Sequence, residues 1–295
     1  MDLVLTGELL SLLMFFAIIG VLMLGFPVAF SLAGTSVAFA GIGYLLGVFD
    51  PSNFNSLASR YVGVMLNEVL VAVPLFIFMG MMLERSGIAE KLLITMGRLF
   101  GSLRGGLGLS VIVVGALLAA STGIVGATVV TMGLLSLPAM LRAGYDPRLA
   151  SGVICASGTL GQIIPPSTVL IFMGDMLSGI NAQVQMQMGN FAPTPVSVGD
   201  LFAGAFVPGL LLIVLYMSWM TWKAFFRAES CPALVVTAQE RAELWKDVLF
   251  SLLPPLLLIF AVLGSILGGI ATPTESASVG AVGAIILAAA RRRLN

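Results

Sequence analysis

The chain has 295 residues, 59% hydrophobic and only 9% charged, and its 14 basic and 14 acidic side chains cancel to a formal net charge of zero. With a mean hydropathy of +1.08, against about a quarter of positions charged in a soluble domain, it reads as an all-α polytopic membrane protein, and a soluble globular enzyme is excluded. Histidine is absent, which removes the commonest general base and metal ligand. The two cysteines, Cys155 in an apolar helix and Cys231 in a polar loop, suggest neither a disulfide framework nor a metal cluster.

Leu3 to Phe49 is almost continuously apolar, about twice the length that one span needs. Gly25-Phe26-Pro27 supplies the turn, predicting spans near 5–25 and 27–49. The opening residues lack the basic stretch of a signal peptide, so the first run is expected to stay as a span. Asp50-Pro51-Ser52-Asn53 ends the second span with turn chemistry, residues 54–67 read as interfacial, and a third span is expected at 68–84 around Pro74. From 85 to 106, Ile88, Leu92, Ile94, Met96, Leu99 and Phe100 mingle with Arg85, Lys91, Arg98 and Arg104. That pattern predicts an amphipathic arm helix along the membrane surface.

Residues 107–178 carry the information about function. Apolar enough for membrane, this stretch is interrupted first at Ser121-Thr122-Gly123. The second interruption is Gly158-Thr159-Leu160-Gly161, followed by Pro165-Pro166-Ser167. Irregular backbone is tolerated at membrane depth only where protein or a water-filled cavity satisfies it, and discontinuous helices of this kind build the sites of secondary transporters. Beyond them, 179–200 is expected as a polar periplasmic loop without Lys or Arg. Spans follow near 201–222, 248–269 and 273–290, with a loop holding Lys223, Arg227, Arg241 and Lys246, and Arg291–Arg293 reads as a positive-inside anchor.

Orientation decides how 107–141 is folded. As one long span it would separate Arg104 from Arg142. As a re-entrant hairpin turning at Ser121-Thr122-Gly123 it puts every basic residue except Arg60 in the cytoplasm, with the N-terminus periplasmic. The expected fold is about seven transmembrane helices, one re-entrant helical hairpin and one broken helix.

A broken helix leaves unpaired N–H groups at one terminus and unpaired carbonyls at the other. The carbonyl end, with nearby hydroxyls, suits a bare cation such as Na⁺, and the amide end suits a carboxylate. The candidate ion and substrate site is therefore Ser121, Thr122, Gly123, Ser157, Gly158, Thr159, Gly161, Pro165, Pro166 and Ser167. Na⁺ is assigned to Ser121, Thr122, Thr159 and backbone carbonyls. Pro165 and Pro166 hold the second break open because neither donates a backbone hydrogen bond. The alternative is that Gly, Ser and Thr only permit close helix packing.

Four motifs carry a resemblance: Ala120-Ser121-Thr122-Gly123 with Ala127-Thr128, Gly144-Tyr145-Asp146, Gly158-Thr159-Leu160-Gly161 with Ile164-Pro165-Pro166-Ser167, and Ala271-Thr272-Pro273-Thr274-Glu275. In this order they resemble the large membrane subunit of tripartite ATP-independent periplasmic (TRAP) transporters, of the ion-transporter superfamily. The resemblance implies an elevator-type symporter of the bacterial inner membrane, not an enzyme. It would couple Na⁺ to uptake of a small organic anion with a carboxylate. Implied partners are a periplasmic substrate-binding protein and a small membrane subunit; no nucleic acid and no cofactor beyond Na⁺ are expected. Residues 1–84 and 201–295 would be scaffold spans, 85–106 the arm and 107–178 the transport-domain half. The chain ends one span past Glu275, which gives the first inverted repeat and part of the second, so a truncated subunit is expected.

Asp175 and Glu275 are the carboxylates nearest the bilayer interior, where an ionisable group is functional by default. Both fall near the outer ends of their spans, and Glu275, with Thr272 and Thr274 beside it, also fits a helix-capping role. Met132, Met140, Met173 and Met176 read as packing residues. An intramembrane protease is excluded because Asp175 has no aspartate partner and there is no histidine base. A channel, and a non-transporting fragment or structural subunit, remain the competing readings.

Overall fold

The computed structural model describes residues 3–123, 125–233 and 238–291, and the described residues form helices and turns. Two compact units are present, residues 1–66 and 67–295. In the first, helices α1 (Leu3–Met23) and α2 (Val28–Leu45) pack against each other. They turn at Gly25, whose φ of +83° needs glycine. A single 3-10 turn (Pro51–Phe54), capped by the Asp50 carboxylate accepting from Ser52 N–H, leads into α3 (Asn55–Met65). Apolar side chains point outward all along this unit, with Met23 and Leu45 each 83% exposed. That outward apolarity is what a lipid-solvated pair requires.

The second unit holds α4 (Glu68–Arg85), α5 (Ile88–Gly101), α6 (Gly106–Thr122), α7 (Val125–Arg142), α8 (Pro147–Thr159), α9 (Thr168–Gln187), α10 (Val198–Phe226), α11 (Ala238–Leu267) and α12 (Pro273–Ala290). Its core runs through Phe76, Met79 and Leu83 of α4, Ile112 of α6, Met132 and Met140 of α7, Ile171 of α9 and Phe202 of α10. The most extensive helix pair is α4 with α12. α12 buries a stripe of small residues, Ala277, Gly280, Ala281, Ala284 and Ala288. A Cβ on Gly280 would sit 2.6 Å from Met79 Sδ and 3.0 Å from Val262 Cγ2. Small residues let backbones approach in this way where lipid offers no hydrophobic drive.

Among the described residues, six helices are long and apolar enough to cross a membrane: α1, α2, α7, α10, α11 from Val248, and α12. α4 matches the expected third span, but Glu68, Glu84 and Arg85 sit at its ends. α8 has only 13 residues, and by length and composition α7 itself qualifies as a span.

Several segments depart from the sequence expectation. α9 continues through Gln187 into the stretch read as loop, because Asn181 and Gln185 donate to Thr194 O at 2.9 and 3.1 Å and fold the following chain back on the helix. The loop after α10 is shorter than expected: α11 starts at Ala238, so Arg241 and Lys246 belong to a helix in which no Gly or Pro intervenes before Pro254. α5 buries Ile88, Leu92, Leu93 and Met96 against protein, chiefly α6 and α11, while Arg85, Lys91 and Arg98 stay exposed. Met132 and Met140 are fully buried as expected, whereas Met173 and Met176 are 46% and 63% exposed on α9. Arg291 donates to Phe250 O at 2.9 Å and ties α12 to α11. Arg292 and Arg293 of the expected anchor lie outside the described residues.

Candidate functional site

The two interruptions meet. α6 ends at Thr122, and Gly123 turns the chain with φ +60°. A side chain with a Cβ adopts that conformation at a cost of about 1–2 kcal/mol. α7 leaves from Val125. The second break starts where α8 gives way to a 3-10 turn (Leu160–Gln162) and ends at Ser167, the N-cap of α9. Between them lies the cis peptide Pro165-Pro166.

Gly123 O joins the two: it accepts from Gln162 Nε2 at 3.1 Å and from Thr168 Oγ1 at 3.0 Å. A Cβ on Gly123 would lie 3.2 Å from Pro166 O, which shows how closely the backbones approach. Ser167 Oγ donates to Gln162 O at 2.8 Å and accepts from Leu170 N–H, so it closes the second break on itself. Two helix C-termini, of α6 and α8, thus come together with two N-termini, of α7 and α9. Such a junction presents carbonyl oxygens and amide hydrogens at one place without a charged side chain.

The expected site residues divide into groups. Gly123, Pro166 and Ser167 stand at the junction, and Pro165, Gly161 and Ser121 are buried close by in sequence. Ser121 donates to Leu118 O at 2.8 Å, which spends its proton and leaves oxygen lone pairs for a cation. Ser157 and Gly158 are helix-packing positions. A Cβ on Gly115 of α6 would lie 2.6 Å from Ser157 Cβ, and one on Gly158 would lie 2.3 Å from Val129 Cγ2 of α7. They wedge α8 between the two legs of the hairpin. Thr159 is exposed and donates to Ala156 O of its own helix at 2.8 Å; no described contact joins it to the tip. The side chain of Thr122 lies outside the described residues, as does Ile124.

Gln162 is absent from the sequence-based set. Its amide nitrogen is committed to Gly123 O, so its oxygen must face the other way. Oε1 is buried and finds no hydrogen-bond donor among the described residues. A buried acceptor left unpaired costs about 1–3 kcal/mol, and such an atom calls for a partner. The visible signal was a lone amide inside an apolar Leu160–Ile164 run. Sequence reasoning also missed Glu84, whose carboxylate accepts from the Thr131 hydroxyl of α7 and links α4 to the hairpin.

The carboxylates singled out from sequence have other partners. Asp175 Oδ1 accepts from Asn67 Nδ2 at 2.9 Å, and Asn67 caps α4 through Val69 N–H. Glu275 forms a reciprocal capping box with Thr272: Oε2 accepts from Thr272 N–H at 2.8 Å, and Thr272 Oγ1 accepts from Glu275 N–H at 3.3 Å. Thr274 donates to Glu68 O at 2.6 Å, pinning the start of α12 to that of α4. Glu68, Asp175, Thr272, Thr274 and Glu275 line a cavity of about 650 Å³ at the helix N-termini.

At the other end of the hairpin the base is clamped. Gly105 N–H donates to Cys231 O at 2.9 Å and Asp146 N–H to Ser230 O at 3.0 Å, so the short turn after α10 holds both feet. Tyr145 OH accepts from Gly108 N–H. Burial pushes the Tyr145 hydroxyl up to about 12, against the opposing effect of that N–H. The buried Cys231 thiol is likewise raised by desolvation, partly offset by Lys223.

Residues 14–295 match the profile of the family described as "Tripartite ATP-independent periplasmic transporter, DctM component". The chain is 33% identical over 288 residues to the C4-dicarboxylate TRAP transporter large permease protein DctM of Vibrio cholerae, covering 94% of this chain and 55% of that protein. It is 28% identical to the ectoine TRAP transporter large permease protein TeaC of Halomonas elongata, covering 94% and 59%. Similarity to the isethionate TRAP transporter permease protein DctMQ of Oleidesulfovibrio alaskensis is 31% over 221 residues, covering 74% and 31%. The chain therefore spans little more than half the length of the large permeases it matches. With six apolar helices of spanning length among its described residues and a family match over nearly its whole extent, the chain is a multi-pass member of the TRAP transporter DctM family.

Proposed function

We propose that this chain carries the cation-binding half-site of a secondary transporter that couples Na⁺ to uptake of a small organic anion. The observation that supports this best is the double hydrogen bond from Gln162 and Thr168 to Gly123 O, because it joins two broken helices at one carbonyl. In this reading Na⁺ is held by backbone carbonyls at the ends of α6 and α8, by Ser121 Oγ and by Gln162 Oε1. The Ser167-capped start of α9 offers amide hydrogens to the substrate carboxylate. Among the residues at the two breaks none is basic, so the anion would be read by helix termini rather than by an arginine. Two of the relatives reported above are named for organic anions, a C4-dicarboxylate and isethionate, which favours that substrate class.

Transport would follow an elevator movement in the inner membrane, with a periplasmic binding protein delivering the substrate and a small membrane subunit alongside. Since α4, α5 and α11 pack on the hairpin-bearing helices, and α12 packs on α4 and α11, within one compact unit, the moving body would carry them along, which leaves α1–α3 as the scaffold part of this chain. The test is Na⁺-dependent uptake into proteoliposomes by the full-length permease with its partners. Ser121→Ala and Gln162→Leu are expected to raise the Na⁺ concentration for half-maximal uptake. An unchanged Na⁺ dependence in both variants would reject the site.

A further inference from the structure

Away from the breaks, α8 and α10 border a groove of about 610 Å³, within the range of small-molecule sites. Its two ends differ in chemistry. Arg148 at the start of α8 and Lys223 and Arg227 at the end of α10 line one end. Asp146 is the one acidic side chain among the described lining residues, and its carboxylate is engaged with Arg148 N–H at 2.8 Å. None of the three cations has an ion-pair partner among the described residues. The hydrogen bond from Asp146 N–H to Ser230 O at 3.0 Å holds these two helix ends together, so both helices leave the basic end in the same direction.

Moving along α8, the lining turns apolar: Leu149, Val153 and Ala156 follow, reaching about 12 Å from Arg148 at the helical rise. A Cβ on Gly152 would meet nothing within 4 Å, so the wall stays low there. On α10, Lys223 Nζ stands 5.0 Å from the Trp219 ring centroid and 5.9 Å from that of Trp222, and the two rings, about half exposed, stack on each other. Exposed tryptophans beside Lys and Arg mark the headgroup level of a bilayer, and cation–π contact fixes the ammonium there.

We propose that this groove is a binding site for an anionic phospholipid. Its phosphate sits between Arg148, Lys223 and Arg227, where the two guanidinium forks and the lysine ammonium suit phosphate oxygens, and an acyl chain lies along Leu149, Val153 and Ala156. Charge complementarity selects the headgroup, and the apolar continuation separates a lipid from a free anion. Because α8 also wedges the hairpin and Asp146 clamps its base, the lipid borders the segment that positions the tip.

The test is quenching of tryptophan fluorescence in the purified chain in phosphatidylcholine nanodiscs doped with brominated phosphatidylglycerol or brominated phosphatidylcholine. The anionic quencher is expected to act at a lower mole fraction than the zwitterionic one. Each of R148Q, K223Q and R227Q is expected to cut that preference about fivefold, from roughly 1 kcal/mol per basic residue at an anionic surface. V153F fills the apolar part with all three cations intact and without adding a tryptophan, and is expected to abolish the preference as well, so the effect is not one of charge alone. Monodisperse elution and protection of Cys231 from thiol reagents establish that each variant is folded, and the remaining single substitutions carry the test where one is not. Equal quenching by both lipids would overturn the proposal. So would retention of the preference in all four variants, or complete displacement of the anionic lipid by millimolar inorganic phosphate.

Discussion

Two polar clusters interrupt the apolar second unit, and they are built in opposite ways. The cluster at the starts of α4 and α12 is rich in charge, with Glu68, Asp175 and Glu275 around one cavity. Its charges are largely occupied: Asp175 holds the Asn67 cap and Glu275 closes a capping box with Thr272. The cluster at Gly123 and Gln162–Thr168 has no charged side chain, yet it contains a buried oxygen without a donor among the described residues. In the first cluster carboxylates secure helix ends, while in the second the groups offered to a ligand are carbonyls and an amide oxygen. In a membrane, a broken helix supplies partial charges without the cost of burying a full one.

The uncharged cluster is most sensitive at the tip. Gly123→Ala forces a Cβ into a left-handed backbone 3.2 Å from Pro166 O. Separation of the two breaks should reduce Na⁺-dependent uptake by the full-length permease more than tenfold, as about 1–2 kcal/mol of strain combines with loss of the junction. Wild-type uptake by this variant would mean that the approach seen at Gly123 is not needed.

Overpacking the hairpin wedge comes next. Gly158→Val puts side-chain atoms where Val129 already lies and should cost about 1–3 kcal/mol, read as a lower melting temperature in detergent. The contrast with Thr159→Val sharpens the point: that residue is exposed, so its melting temperature should stay near wild type.

Gln162→Leu preserves bulk while removing both the bond to Gly123 O and the free oxygen. One hydrogen bond of about 1 kcal/mol corresponds to roughly a fivefold rise in the Na⁺ concentration for half-maximal uptake. Asp175→Asn and Glu275→Gln should leave that concentration within about twofold, with losses of at most about 1 kcal/mol in stability, as for a weakened cap. A reversed pattern, with Asp175 controlling Na⁺ dependence and Gln162 silent, would transfer the site to the other cluster.

The smallest effect concerns the hairpin base. A raised thiol pKa lowers the thiolate fraction at any given pH. Buried Cys231 should therefore stay unmodified by N-ethylmaleimide at pH 8 while exposed Cys155 reacts. Equal labelling of the two would show that the clamp at Gly105 and Asp146 is open.

Much of this was legible in the sequence because it rests on local chemistry. Gly25 marks a turn, and Thr272 with Glu275 spells a capping box three residues apart. The position of both breaks was visible because Gly and Pro interrupt an apolar run. What lay hidden depends on segments distant in the chain. Gln162 meets Gly123 across 39 residues and Thr131 meets Glu84 across 47, and no periodicity reports such pairs. Ser157 and Gly158 looked like ligands because small polar residues serve both packing and binding; only the approach of Gly115 and Val129 separates the two uses. The end of α9 was hidden because Asn181 and Gln185, polar and therefore loop-like, spend their amides on Thr194 O.

In the proposed reading both breaks form one cation site. Backbone hydrogen–deuterium exchange of the full-length permease, in Na⁺ and in K⁺ at equal ionic strength, tests it directly. Na⁺ should slow exchange in residues 119–126 and 160–168 together, and leave the caps at 67–70 and 272–275 unchanged. Protection confined to one break, or appearing at the caps instead, would contradict it.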